Sequence, residues 1–469
     1  MNILKKHNFV IVISLVLWTA ITLVRVLNHT PWYDEAHAWI ISQELNLFEI
    51  IKLMKIEGHT IIWYLVLMPF AKSNFMYPYP MLLLNWLFCF IAILILWLKS
   101  PFNNWIKFLI SFSFPFFCLY PVIARCYAIG IMLLFAITAI DKDKLKHPNW
   151  YALLLILCAN TSVVALFGAT AFGVMFIAEQ IKARKFYVFS FLIMLLGAII
   201  VLVQLLNSPN NFIISSIQKM NLADYNSIFV YNNLYINWII LILLCTVLLN
   251  FYLRNKIFPT FLMISFLLMF HMMLRIYSGF MWHHYFLYVF FIISCWLIFQ
   301  KYGEKRTLSI CLAVISLLFV FNFPSPTDRV AIWGNKSKAI SNVLLNDSRF
   351  ENSKIVISNE RYFSLLPYIK NSEIKMINYC SGQVLNYDTT SFVISDMCHD
   401  GTNRKQMKLT FDYIDKFYSD NLYFLVNYEI KIPKISLVKD NECMQFEKIM
   451  QFNKMNIYKV NKVKIRDKI

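Results

Sequence analysis

The residues best equipped for chemistry crowd into one stretch, Trp32 to Tyr64, directly after the first long apolar run. It carries Asp34, Glu35, Glu44, Glu49 and Glu57 together with His37 and His59. The first 323 residues hold ten acidic side chains, so half of them sit here. Acids are costly to place near lipid, and a local crowd of them in so apolar a chain needs a reason. Asp34 and Glu35 are adjacent, and neighbours on a helix point about 100° apart. They would therefore divide the work, one as a base or metal ligand and the other bracing it or binding an acceptor. The plainer reading is a pair of acids at a helix start, favoured by the dipole.

The cations lie further along. His59, in EGHTIIWY, opens an apolar segment, as a site residue or an interfacial one, and Glu57 two residues earlier reads as a surface charge. Arg125, in LYPVIARCYAIG, falls between apolar runs, where a guanidinium rarely lacks an anionic partner. A phosphate held bidentately suits it, and so does a structural pair with a loop acid. Arg275, His283 and His284 cluster in RIYSGFMWHHYF, a set suited to a phosphate or a metal, or to an aromatic belt with polar tips. His283 and His284 point apart on a helix, so at most one enters a site. Glu35 and His283 are the candidate ligands for a divalent metal. Asp224 reads as solvated. The sequons at Asn28, Asn160 and Asn346 are short patterns that arise by chance.

The elements that must position these residues are apolar helices. The 469 residues are 59% hydrophobic and 15% charged, and the mean hydropathy is +0.57. Repeated apolar runs of about 18–22 residues mark a polytopic helical membrane protein. A barrel would show weak alternating strands instead. Segments fall near 8–27, 60–71, 80–98, 105–119, 122–140, either side of 158–162, and 187–206, then near 234–253, 258–276, 285–299 and 307–323. That is about a dozen spans. Lys5 and Lys6 predict a cytoplasmic N-terminus and an uncleaved first span, which puts residues 28–58 outside. Basic DKDKLKH at 141–147 belongs inside, and the parity then requires that one of the four segments from 60 to 140 is not a full span. The 60–71 piece and the break at Leu119–Tyr127 are the suspects. Within the outer stretch two amphipathic helices are expected on the membrane face. Ala36, Trp39, Ile40 and Gln43 line one stripe, and Phe48, Ile51, Leu53 and Met54 begin another.

From Pro324 the composition turns ordinary, with 16 acids against 22 lysines and arginines in 327–469. KIVISN at 354–359, SFVISDM at 391–397, NLYFLVNY at 421–428 and MNIYKVNK at 455–462 read as strands. Helical pieces fall at 339–346 and 407–418. The expected architecture is a transmembrane domain, 1–323, and a small extracytoplasmic α/β domain, 324–469. Seven of the ten cysteines lie in apolar spans, while Cys380 and Cys398 either pair outside the cell or stay as thiols. The net charge of +18 fits cytoplasmic loops and lipid headgroups, and no basic stripe with interleaved aromatics marks nucleic-acid binding.

An Asp-Glu pair after the first span, two surface helices and a His-led short span together resemble the GT-C membrane glycosyltransferases. WYDEAHAW…EGHTIIWYLVL is similar to the Asp-Glu loop and His-Pro-Pro motif of the family-39 group, which includes protein O-mannosyltransferases and the lipid A aminoarabinose transferase. Thr60-Ile61 stands here where that motif has Pro-Pro. VIARCYAIG and WHHYF resemble further stretches of bacterial members, and the likeness covers roughly residues 8–300. The resemblance implies a GT-C-like fold of about 11–13 transmembrane helices and a sugar transferase that uses a polyprenyl-phosphate donor at the outer face. It implies Asp34 as catalytic base, with Glu35 organising the site or a divalent metal. The acceptor would be an envelope glycan, lipid or protein. By chemistry, His59, Arg125, Arg275, His283 and His284 are the residues to hold the lipid phosphate. The rival readings are an envelope polysaccharide polymerase, a transporter or lipid flippase, and a scaffold for an envelope complex. A transporter would place its ionisable groups at mid-membrane on helices broken in matched halves.

Overall fold

A computed structural model describes residues 2–57, 59–73, 75–205, 259–275, 280–321, 336–357, 364–378, 384–385, 411–416, 418–426, 438–439, 442–452 and 455–464. The expected span at 234–253, Asp224, Cys380, Cys398 and the strand at 391–397 lie outside the described residues. In order, the first helices are α1 (Asn2–Leu27), α2 (Tyr33–Glu44), α3 (Leu47–Glu57), α4 (Ile62–Ala71), α5 (Tyr79–Lys99), α6 (Asn104–Phe112) and α7 (Tyr127–Ile140). They are followed by α8 (Pro148–Ala159), α9 (Val163–Lys182), α10 (Val188–Leu205), α11 (Thr260–Arg275), α12 (Met281–Tyr302) and α13 (Arg306–Val320). The C-terminal part adds α14 (Ser337–Asn346), α15 (Leu366–Ile369) and α16 (Phe411–Asp415). Its strands are β1 (Lys354–Ile357), β2 (Lys375–Asn378), β3 (Leu422–Val426), β4 (Val438–Lys439), β5 (Glu442–Phe452) and β6 (Met455–Lys464).

The chain forms two compact units. One comprises Met1–His29 and Asn46–Trp333, the other Thr30–Leu45 and Gly334–Ile469. The composition break at Pro324 falls near the third and last passage of the chain from one unit to the other, at Trp333–Gly334. The inclusion of 30–45 with the C-terminal residues has no signature in composition.

The first unit is helical. Among the described residues five helices are long and apolar enough to cross a membrane: Phe9–Leu27 of α1, then α5, α9, α10 and α12. Four shorter apolar helices accompany them, Ile62–Ala71, Pro148–Ala159, Thr260–Met273 and Arg306–Val320. This is the make-up of a membrane protein. α12 is buried along nearly its whole length and packs against α7, α9, α11 and α13. The suspect 60–71 piece is short, and so is the helix that precedes the other suspect, the Leu119–Tyr127 break. α4 has 10 residues and α6 has 9, each about 15 Å of helix against a hydrocarbon core of about 30 Å. The expected segment 105–119 ends as a helix at Phe112 and continues as a π-helical turn, Pro115–Leu119.

Two features fix α7 among its neighbours. A Cβ on Gly130 would lie 2.9 Å from the Ala165 Cβ on α9, an atom with no rotamer to escape through, so only glycine permits this approach. At the other end of α7, Lys144 is buried and bridges Asp141 at 2.8 Å and Glu179 at 3.0 Å, and the Tyr151 hydroxyl donates to Asp141 at 2.7 Å. The basic loop at 141–147 is thus partly an internal ion cluster. Breaking a buried pair strands a charge, at a cost of about 3–5 kcal/mol when burial is complete. Glu179 is half-exposed, so Lys144→Met should cost about 3 kcal/mol, seen as a lowered Tm in detergent. An unchanged Tm would show that the cluster carries no stability.

The second unit is built on a six-stranded sheet of order β2-β1-β3-β6-β5-β4. β1 runs parallel to β2 and β3, and β3-β6, β6-β5 and β5-β4 are antiparallel. β3 is buried at every position, as a central strand covered on both faces must be. Ile355, Ile357, Tyr423 and Leu425 face one layer with residues of α14 and α15, and Val356, Leu422 and Phe424 face the other with α16. The strands expected at 354–359, 421–428 and 455–462 are present as β1, β3 and β6. Of the helix expected at 407–418, residues 411–415 are helical.

α2 and α3 form where two helices were expected, with different faces inward. In α2 eight consecutive residues, Glu35 to Ser42, are buried, so it is not a surface amphipath. Its Ile40 belongs to the sheet's core cluster. α3 turns Ile50, Leu53 and Met54 inward and packs on α10, while Phe48 is 74% exposed. Phe48 therefore lies off the stripe assigned to it.

Candidate functional site

In the first unit the site is built on irregular backbone. Between α6 and α7 the chain leaves the helix, turns once as a π-helix and then runs without regular structure to Cys126. Backbone groups freed this way need protein partners in an apolar setting. Asn85 Nδ2 donates to the carbonyls of Tyr120 and Pro121 at 2.8 and 3.1 Å. Trp18 Nε1 donates to those of Ser111 and Phe116, and Arg25 reaches the Phe117 carbonyl. The Tyr120 hydroxyl donates to the Trp282 carbonyl at 2.9 Å, which ties the segment to the start of α12.

The short loop before α4 is held just as firmly. The amide of Ile61 donates to Gln204 Oε1 and that of Ile62 to the Asn160 carbonyl, so two orphan N–H groups of the helix start are satisfied from α10 and the α8–α9 turn. Gln204 Nε2 in turn donates to Asn160 Oδ1 at 2.9 Å. Asn160 is buried and spends its side chain here, so its sequon is structural.

These supports bring His59, Arg125 and His283 together. Arg125 is 9% exposed, and its Nη2 donates to His59 Nε2 at 2.7 Å. A guanidinium only donates, so His59 Nε2 accepts and its proton sits on Nδ1, which faces Cys126 Sγ at 4.0 Å. Burial, with the Arg125 charge beside it, pushes the His59 pKa down to about 3. His283 is fixed in the opposite tautomer. Its Nδ1 accepts the Phe280 amide at 2.9 Å, so Nε2 carries the proton and donates to the Tyr127 hydroxyl oxygen, also at 2.9 Å. The Tyr127 O–H is then directed onward, and its ring stands edge-on to His59 at 6.1 Å. One neutral, tautomer-locked imidazole thus rests on the Arg125 guanidinium, and a second, His283, joins the cluster through Tyr127.

The neutral state of His59 has a pH signature. The unfolded chain takes up a proton near the ordinary value of 6.5, the folded chain only near 3. The stability tied to His59 is thus complete above pH 6.5 and is lost as pH falls toward 3. The Tm in detergent should decline between pH 6.5 and 4, and His59→Gln should flatten that decline. Equal slopes for the two proteins would contradict the assignment.

Two residues of this cluster, Tyr127 and Tyr64, had no role in the sequence reading. Tyr127 follows Arg125 by two positions, and its burial at the start of α7 was invisible without the fold. Tyr64 donates to Glu57 Oε2 at 3.2 Å, and both Glu57 and Arg125 are within electrostatic reach of its hydroxyl. Glu57 is therefore part of the cluster's surroundings, not a surface charge. His284 is buried beside His283. Arg275 ends α11, and its side chain lies outside the described residues.

The acid pair belongs to the second unit. Trp32 caps α2, which places Asp34 in the first turn and Glu35 at its third position. Glu35 is fully buried, and its Oε2 accepts the Trp32 amide at 2.9 Å, the half of a capping box that a residue at the third position supplies. Glu35 closes the helix start, and Asp34 beside it is partly exposed. Among the described residues no three His, Cys, Asp or Glu side chains gather, and His283 gives both ring nitrogens to protein hydrogen bonds.

No family model, curated protein or solved structure matches the chain.

Proposed function

We propose that the chain is an integral membrane glycosyltransferase of the GT-C kind, moving a sugar from a polyprenyl-phosphate donor to a cell-envelope acceptor at the outer face. The observation that supports this most is the buried Arg125 braced by neutral His59, on irregular backbone among apolar helices. A lipid-linked sugar phosphate is a substrate whose one anionic point must be met inside an apolar protein, and a fixed guanidinium meets it bidentately. The family resemblance of the Asp-Glu stretch supplies the second half. Asp34 takes the proton of the acceptor hydroxyl as its oxygen attacks the anomeric carbon. The bond from that carbon to the phosphate oxygen breaks, its electron pair stays on the phosphate, and Arg125 stabilises the charge that develops. Attack from the face opposite the phosphate inverts the anomeric centre. In this reading the N-terminus is cytoplasmic, the second unit is extracytoplasmic, and the helices amount to about 11–13 spans.

The test is direct. Purified protein in lipid nanodiscs receives polyprenyl-phosphate sugars and an envelope extract, and mass spectrometry follows the glycan. Donor-dependent product supports the proposal. Flux of lipid or solute across vesicles with no sugar transferred would replace it with a transporter.

A further inference from the structure

We propose that the C-terminal α/β unit is the clamp that positions the Asp34–Glu35 helix. The idea rests on the proposed role of Asp34. Its physical basis lies wholly within the second unit.

The chain leaves the first unit after His29, contributes 16 residues to the second, Thr30–Leu45, and returns at Asn46. Those residues are α2 and its flanks. Ile40, in the middle of the helix, is fully buried in a cluster with Ile340, Leu344, Leu366 and Ile369. Tyr33, at its first turn, packs on the same cluster. At its last turn Glu44 accepts a hydrogen bond from Lys370, 326 positions away in sequence. The contacts thus fall at the start, middle and end of a helix about 18 Å long. Twelve residues are too few for a helix to persist alone in water, so its order comes from what it packs against. A base must be held within about 0.5 Å of its working position, and a displacement of about 1 Å costs roughly 10²-fold in rate. A unit that grips the carrier helix at three points meets that demand. This gives the C-terminal residues a task in the reaction without any residue of theirs touching substrate: Ile40, Glu44 and Lys370 are positioning residues.

The experiment uses the full-length protein in nanodiscs. Lys370→Glu and Glu44→Lys each set like charges against one another at the end of α2, and the double swap restores opposite charges. Hydrogen exchange of the α2 amides should rise roughly tenfold or more in each single variant, with β1 and β3 unchanged. It should return to the wild-type level in the swap. Turnover should fall in parallel, with the donor KM unchanged, and recover in the swap. Ile40→Ala, which removes the central contact without touching charge, should loosen α2 in the same way. Unchanged α2 exchange in all three, or a swap that fails to restore it, would overturn the clamp. If α2 loosens as expected while Asp34→Asn keeps full turnover, the docking stands and the catalytic assignment of Asp34 falls.

Discussion

Replacing Arg125 with methionine should lower the transfer rate by about 10²–10³, the cost of removing one preorganised donor from a developing oxyanion. The guanidinium is expected to meet the phosphate as the glycosidic bond breaks, so the loss belongs in kcat as well as in donor binding. The substitution also strips the partner from His59 Nε2, a part-buried acceptor whose loss of a partner costs about 1 kcal/mol. A fall in activity could then reflect damage to the fold alone. The double variant Arg125→Met/His59→Leu separates the two effects, because removing both partners of a buried bond is nearly neutral for stability. It should recover the Tm and stay inactive. Arg125→Lys keeps the charge without the planar fork and should fall between wild type and methionine. Wild-type turnover in a folded Arg125→Met protein would remove Arg125 from the reaction.

Asp34→Asn should cost about 10²–10⁴ in kcat, the range for loss of a general base. Its fold should be almost unaffected. Asp34 sits in the first turn of α2, where the charge contributes about 0.3–1 kcal/mol through the helix dipole, and asparagine fits the same space. Glu35 gives the opposite contrast. Glu35→Gln retains an acceptor for the Trp32 amide and should fold normally, whereas Glu35→Ala opens the capping box at about 1 kcal/mol. Rates from Asp34→Asn and Tm values from the Glu35 pair would separate the chemical acid from the structural one.

The legible parts of the sequence were those in which one periodicity rules. Apolar length gave the long helices, and short runs of β-branched and aromatic residues gave β1, β3 and β6. β2, KMIN, escaped notice because Ile377 is its only β-branched residue. β5 escaped because a bulge between Lys448 and Met450 breaks its alternation, with Glu442, Glu447 and Lys448 along it. The α2 stripe was misread because Ala36, Trp39 and Ile40 look the same whether a helix lies on lipid or is buried in a sheet's core. Arg125 and His283 stood out as charges or imidazoles in apolar surroundings. Their pairing with His59 and Tyr127 spans 66 and 156 positions, and no local signal carries contacts of that reach. Glu57 looked like solvent-exposed charge because its partner, Tyr64, lies two turns away across a helix break.

The most direct test of the account is the single-turnover release of polyprenyl phosphate from a sugar-loaded donor, measured in nanodiscs for wild type, Asp34→Asn and Arg125→Met/His59→Leu. The account predicts release coupled to glycosylated acceptor in the wild type, slowed about 100-fold or more in both variants while each keeps its fold. Release at equal rates in all three, or none from the wild type with any polyprenyl-phosphate sugar, would contradict it.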